Sequence, residues 1–320
     1  MSTRLIDSTG SAVPARRQAG SAYILLAASL WGTTGTVRTL APAEADPVSV
    51  GAARMVLGGA VLMLVAALAR DTAGVAGRPA TMARGEGLRR LLTRRRTWWL
   101  LALGAVCAAV YQSAFFAAVA RTGVATGTVV TIGSAPAFTG LIALATGGPR
   151  PTWRWAAATA CAVAGCAALV GGGRSAGVEP LGVALALLSG FTYAVYATVA
   201  SWFITRREDD RAVVGVLFGG AAVLLLPVLV AGSPGWLLTA SGTLVTVYLG
   251  VITTSGAYLM YARGLRGTPV TTATTLTLAE PAVAAVLGLL VLHERLGGVA
   301  LAGLGLLSAG LLLLILAERR

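Results

Sequence analysis

Ten runs of roughly twenty mostly apolar residues follow one another along this chain, each the length a helix needs to cross about 30 Å of hydrocarbon. They fall near residues 22–40, 48–69, 98–120, 124–146, 153–172, 180–203, 213–232, 238–261, 269–291 and 298–317. Two pairs are nearly continuous and are divided by the breakers Thr122-Gly123 and Gly267-Thr268-Pro269. Lipid offers the backbone no hydrogen-bonding partners, so a chain of this pattern is expected to be an all-α integral membrane protein.

Composition agrees. With 56% apolar residues, 12% charged residues and a mean hydropathy of +0.80, a water-soluble domain of 320 residues could not cover its own apolar surface. A net charge of +13 would suggest nucleic acid as the partner of a soluble protein. Here the basic residues, all arginine, lie between the apolar runs, so lipid and orientation explain them and no nucleic acid is expected. Cys107, Cys161 and Cys166 sit inside apolar runs as small hydrophobes, which implies no disulfide, metal site or cofactor.

Loop charge sets the topology. With the N-terminus inside, only Arg38, Arg121, Arg174 and Arg295 fall in outer segments and Arg54 falls within a span, which leaves 20 of 25 arginines on the inner side. Both termini are therefore expected in the cytoplasm of a bacterial-type inner membrane. Arg16-Arg17, an apolar stretch and Ala41-Pro42-Ala43 imitate a secretory signal, but a stretch of about 19 residues exceeds the core of such a signal and reads as the first span. The longest loop, 71–97, holds Leu88-Arg89-Arg90-Leu91-Leu92-Thr93-Arg94-Arg95-Arg96 ahead of Trp98 and Trp99, which reads as an orientation signal followed by an aromatic anchor or as a short amphipathic stretch on anionic headgroups.

The chain also repeats itself. Ser113 and Ala120-Arg121 align with Ser255 and Ala262-Arg263 at an offset of 142, and Thr126, Pro136, Arg150 and Gly165 align with Thr271, Pro281, Arg295 and Gly310 at 145. The expected organisation is a tail over 1–21, a five-helix unit over 22–172, a connector over 173–179, a second unit over 180–317 and a tail over 318–320. Because five is odd, consecutive units enter the membrane in opposite senses, giving inverted-topology repeats with a solute site near the midplane.

Leu30-Trp31-Gly32, Arg54 after small residues, Ser134-Ala135-Pro136, Ala279-Glu280-Pro281 and Glu294-Arg295-Leu296 resemble the motifs of the ten-helix EamA-type branch of the drug/metabolite transporter superfamily. The first half departs from that pattern, with Gly148-Pro149-Arg150-Pro151 where the family usually has a Glu-Arg pair. The resemblance spans about 20–317 and implies a secondary transporter that alternates between inward-open and outward-open states. Such carriers often export metabolites, amino acids or toxic compounds.

Of twelve acids only Glu280 lies inside a span, eleven residues from either end. That is roughly 16 Å deep at 1.5 Å per residue, where an unpaired charge costs about 2.5 to 3.5 kcal/mol or more. A proton, a cationic solute group or an arginine would offset that cost, and Pro281 frees a backbone carbonyl beside it. The structural alternative is a protonated or hydroxyl-bonded acid that holds its helix. Arg54 either snorkels outward, makes a structural contact or meets solute. If both line one cavity, a zwitterion such as an amino acid fits. Trp31 sits at mid-span rather than at an interface, and Tyr111, Gln112, Tyr193, Tyr196, Tyr258 and Tyr261 bring polar atoms into the spans. Thr271 and Thr275 do the same for the ninth span, while Pro136 and Pro281 are candidate helix breaks.

A membrane-embedded enzyme is not expected: the one histidine, His293, lies at a helix end, and no aspartate lies within a span. Rings of charge suited to a channel are also missing from the sequence. The expected function is export of a small polar metabolite, with a proton as a candidate coupling ion. A multidrug or organic-cation exporter is the alternative, and a non-transporting scaffold a remoter one. Oligomeric state is left open.

Overall fold

A computed structural model describes residues 12–69, 84–148, 150–171, 179–232, 234–291 and 297–318. Among them every regular element is helical. Eight stretches are by themselves long and apolar enough to cross a bilayer: Pro47–Leu68, Trp98–Gly123, Thr126–Ala145, Pro180–Thr205, Asp210–Ala231, Ala240–Leu265, Val270–Leu290 and Gly298–Leu316. Ala12–Gly32 and Trp153–Gly171 pack into the same bundle and bring the helices to the ten expected. They are numbered below as the first to tenth spans in chain order.

Local chemistry sets the ends. Asp46 caps the second span by accepting from the amides of Val48 and Ser49, with Pro47 as the first helical residue. Asp209 caps the seventh through Arg211 and Ala212. The first span begins earlier than its apolar run and stops at Gly32, after which a one-turn helix, Thr34–Arg38, continues outward. Gly123 joins the third and fourth spans at φ +83°, a conformation that a residue without Cβ adopts at little cost.

The two halves are inverted copies. On the second and seventh spans, Gly59 faces Phe218 and Ala222 while Gly215 faces Leu62 and Ala66, so numbering rises on one as it falls on the other. The fifth and tenth spans run the same way, with Gly165 against Leu307 and Gly310 against Ala158 and Ala162. Each pair joins the same element of the two halves, and each is antiparallel, as an axis in the membrane plane requires. The remaining packing obeys the same exchange: the first span lies on the eighth as the sixth lies on the third, and the first on the ninth as the sixth on the fourth. Small residues at these crossings let backbones approach where no hydrophobic force drives helices together.

Two spans of the second half depart from regular geometry. The eighth is α-helical over Ala240–Val247 and Ala257–Leu265 but forms a π-helix over Tyr248–Gly256. Its Thr254 and Ser255 hydroxyls donate to the carbonyls of Leu249 and Gly250, five residues back. The ninth consists of Val270–Leu276 and Ala279–Leu290, interrupted at Thr277 and Leu278.

Candidate functional site

That interruption positions Glu280 in the first turn of a helix that starts within the span. The amides before it stay occupied, since Leu278 donates to the Thr275 carbonyl at 3.1 Å in a tighter turn. Pro281 has no amide to donate, and it falls among the first positions, where none is needed. The carbonyl that Pro281 leaves free belongs to Thr277; it accepts from the Glu280 amide at 3.0 Å, so the tighter turn uses it locally. The Thr277 hydroxyl donates to the Thr274 carbonyl at 2.7 Å.

Glu280 lines a cavity of about 530 Å³ shared by both halves. Of the residues singled out from sequence, Trp31, Arg54, Tyr111, Gln112, Tyr193, Tyr258 and Pro281 line it too. Arg54 is only 8% exposed, and its Nε lacks a partner, as do Trp31 Nε1 and Gln112 Nε2. Among the described residues neither Arg54 nor Glu280 takes part in an ion pair. At this depth the cavity therefore presents a guanidinium and a carboxylate that form no ion pair with each other. Its walls are aromatic: Trp31 packs on Tyr258 with centroids 5.0 Å apart, and Tyr111 on Tyr193 at 5.4 Å.

The structure sets the other candidates behind or away from this lining. Tyr196 donates to the Tyr258 hydroxyl at 3.4 Å and Tyr261 accepts from Tyr193 at 3.5 Å, which makes them a second aromatic layer. Thr275 is fully buried and shares a hydrogen bond of 3.0 Å with Thr159, while the Thr271 carbonyl accepts from Trp155 Nε1 at 3.1 Å. Both tie the ninth span to the fifth. Pro136 lies within a helix that shows no break at that point. Glu294-Arg295-Leu296 and His293 lie outside the described residues.

Sequence reasoning passed over Arg38, which lines the same cavity. The available signal was spacing: Arg38 follows Trp31 by seven residues, two turns along one helix face. It also passed over Thr131, whose hydroxyl donates to the Ala186 carbonyl at 3.2 Å between the fourth and sixth spans. Arg38, Val119, Thr128, Leu169, Gly297 and Ala300 place the mouth of the cavity at the end that loop charge assigns to the outside.

Comparison with known proteins agrees with this architecture. The EamA-like transporter family matches residues 18–171 and again 180–316, once for each half. The chain is 37% identical over 300 residues to the uncharacterized transporter YwfM of Bacillus subtilis (strain 168), covering 94% of this chain and 95% of that protein. An uncharacterized transporter of Clostridium kluyveri is 27% identical over 128 residues, 40% of either chain. A crystal structure of a protein with 21% identity superposes with a TM-score of 0.76, covering 95% of this chain and 98% of the other, which supports the fold. The chain belongs to the EamA-like transporter family and is a multi-pass membrane transporter of that type.

Proposed function

We propose that this transporter moves a small polar metabolite, an amino acid or related compound, outward across a bacterial-type inner membrane by alternating access, with both termini in the cytoplasm. The observation that carries the reading is the pairing of Glu280 and Arg54 in one cavity without mutual neutralisation. A zwitterion supplies a partner for each: its cationic group offsets the buried carboxylate, and its carboxylate meets the guanidinium. The helix start beneath Glu280 and the aromatic walls hold such a solute without adding charge. A proton is the natural coupling ion, since Glu280 is the one acid among the lining residues. No catalysis is assigned to the site.

The test uses the purified protein in proteoliposomes. Counterflow of labelled amino acids is expected to saturate, and Glu280→Gln, which keeps a hydrogen-bonding side chain but no charge, is expected to exchange solute more slowly and without response to an imposed pH gradient. Unchanged coupling in that variant would refute the proton role. Equal stabilisation of the protein by neutral and zwitterionic analogues in a melting screen would remove the zwitterion reading.

One observation favours a second reading. Four aromatic residues around a carboxylate, Trp31, Tyr111, Tyr193 and Tyr258 around Glu280, also suit an organic cation. Arg54 and Arg38 on the same walls weigh against it through like-charge repulsion, and organic cations in the same melting screen separate the two.

A further inference from the structure

The end of the bundle opposite the cavity mouth holds a second cluster of charge that solute binding does not use. Glu208 and Asp209 lie between the sixth and seventh spans and Asp210 opens the seventh, and all three are buried although they stand at a helix end. Asp210 accepts from Arg266, just past the eighth span, at 2.7 Å and lies 3.6 Å from Arg263 in the last turn of that span. Glu208 pairs with Arg94, from the loop between the second and third spans. The short helix Glu86–Thr93 of that loop rests on the same place, with Gly87 against Asp209. Beside the cluster, the hydroxyls of Ser21 and Thr268 meet at 3.5 Å, and Gly20 packs on Gly264 and Gly267. Three loops and the first span thus close this end.

The mouth is built differently. There the ion pair among the described residues is Arg121 with Glu179 at 2.6 Å, with both side chains more than 40% exposed. Such a pair contributes little, because water solvates either partner when it parts. A carboxylate with 4% exposure has no such reserve: its desolvation is offset only while the arginines of neighbouring elements remain in place.

The inverted repeat says what happens to that arrangement. Gly59 and Gly215 occupy equivalent positions of the second and seventh spans at an offset of 156, and the same offset carries the Gly59 to Ala222 contact onto Gly215 to Ala66. It also carries Arg54 onto Asp210. In a carrier of two inverted halves, exchanging the halves' conformations generates the opposite state. The position that Arg54 holds in the outward cavity is then held by Asp210 in the inward one. We propose that Asp210, with Arg266 and Arg263, is the latch of the inner gate: these ion pairs hold the inner end shut, break when the transporter opens inward, and leave Asp210 lining the inward vestibule. This rests on the alternating-access reading above.

The test follows thiol accessibility in the full-length protein in lipid nanodiscs, with Cys107, Cys161 and Cys166 replaced by alanine. Thr268→Cys reports on the inner end and, in a second protein, Thr128→Cys reports on the cavity. The probe is a water-soluble maleimide, and no solute is needed. With Asp210→Asn the rate at position 268 is expected to rise about tenfold and the rate at 128 to fall, as the population moves inward. The exchanged pair Asp210→Arg with Arg266→Asp is expected to return both rates toward the parent. An unchanged rate at 268, or a rise at both positions, overturns the latch; the second result means loosening rather than gating. Should Asp210→Asn not fold, Arg266→Gln breaks the same pair and is judged by the same outcomes. A protein that gates but carries no amino acid would pass this test and fail the counterflow assay.

Discussion

The fourth and ninth spans are the same element written twice in opposite senses, yet one is a continuous helix and the other is broken at the membrane centre. In the register that places Pro136 on Pro281, Ser134-Ala135-Pro136 stands where Ala279-Glu280-Pro281 stands in the second half. Both carry the proline, so proline alone does not break the ninth span. The difference lies just before it. Thr277 and Leu278 replace Ile132 and Gly133, and the Thr277 hydroxyl and carbonyl both bond within the turn, giving the backbone an alternative to the regular ladder. The eighth span departs from the third in the same way, through Thr254 and Ser255 bonding five residues back. The repeat builds a symmetric scaffold, whereas the second half supplies the break, the π-helix and the carboxylate.

The strongest way to break this comparison is to move the acid. Ala135→Glu combined with Glu280→Ala preserves the charge count but places it on an unbroken helix, and counterflow is expected to fall about a hundredfold. Activity near the parent would mean that the halves are interchangeable at this position. Next, Pro281→Ala lets the ladder heal across the ninth span and is expected to slow exchange about tenfold, whereas Pro136→Ala in the fourth is expected to change it less than about threefold. Equal effects of the two prolines would remove the distinction between the spans. Gly165→Leu, at a contact both halves share, is expected to act on stability rather than transport, lowering the unfolding free energy by roughly 1 to 3 kcal/mol in a melting series. The smallest effect is expected at Ser255, whose one hydroxyl proton is shared between the carbonyls of Gly58 and Gly250. Ser255→Ala is expected to cost about 1 kcal/mol and to shift the π segment's amide exchange while leaving that of the third span alone.

Hydropathy marks the spans because burial in lipid is additive over residues: the second, expected over 48–69, is the helix Pro47–Leu68. The first, expected over 22–40, instead runs Ala12–Gly32, since a helix continues past the lipid wherever its backbone can, and hydropathy does not see that. The break and the π-helix were hidden for another reason. They depend on which carbonyl each hydroxyl finds, and a threonine run reads the same whether it bonds four or five residues back. The aromatic residues show a related limit. Tyr193 and Tyr196, like Tyr258 and Tyr261, are three residues apart on one helix face, so periodicity assigns both of each pair to the interior. Only packing decides that Tyr193 and Tyr258 line the cavity while Tyr196 and Tyr261 stand behind them. Glu280 was conspicuous because a charge in lipid needs an explanation wherever its helix starts.

Gly123 bears on how this machine divides its labour. It is the single residue with non-helical geometry between Trp98 and Ala145, so the third and fourth spans are the arms of one bent rod that turns at one residue. Val119 and Thr128, one on each arm, border the cavity on either side of that elbow. Under the alternating access proposed above, motion on this side of the entrance is channelled through that one residue, while the wall across it has two points of give, where the first span ends at Gly32 and the ninth is interrupted at Thr277 and Leu278.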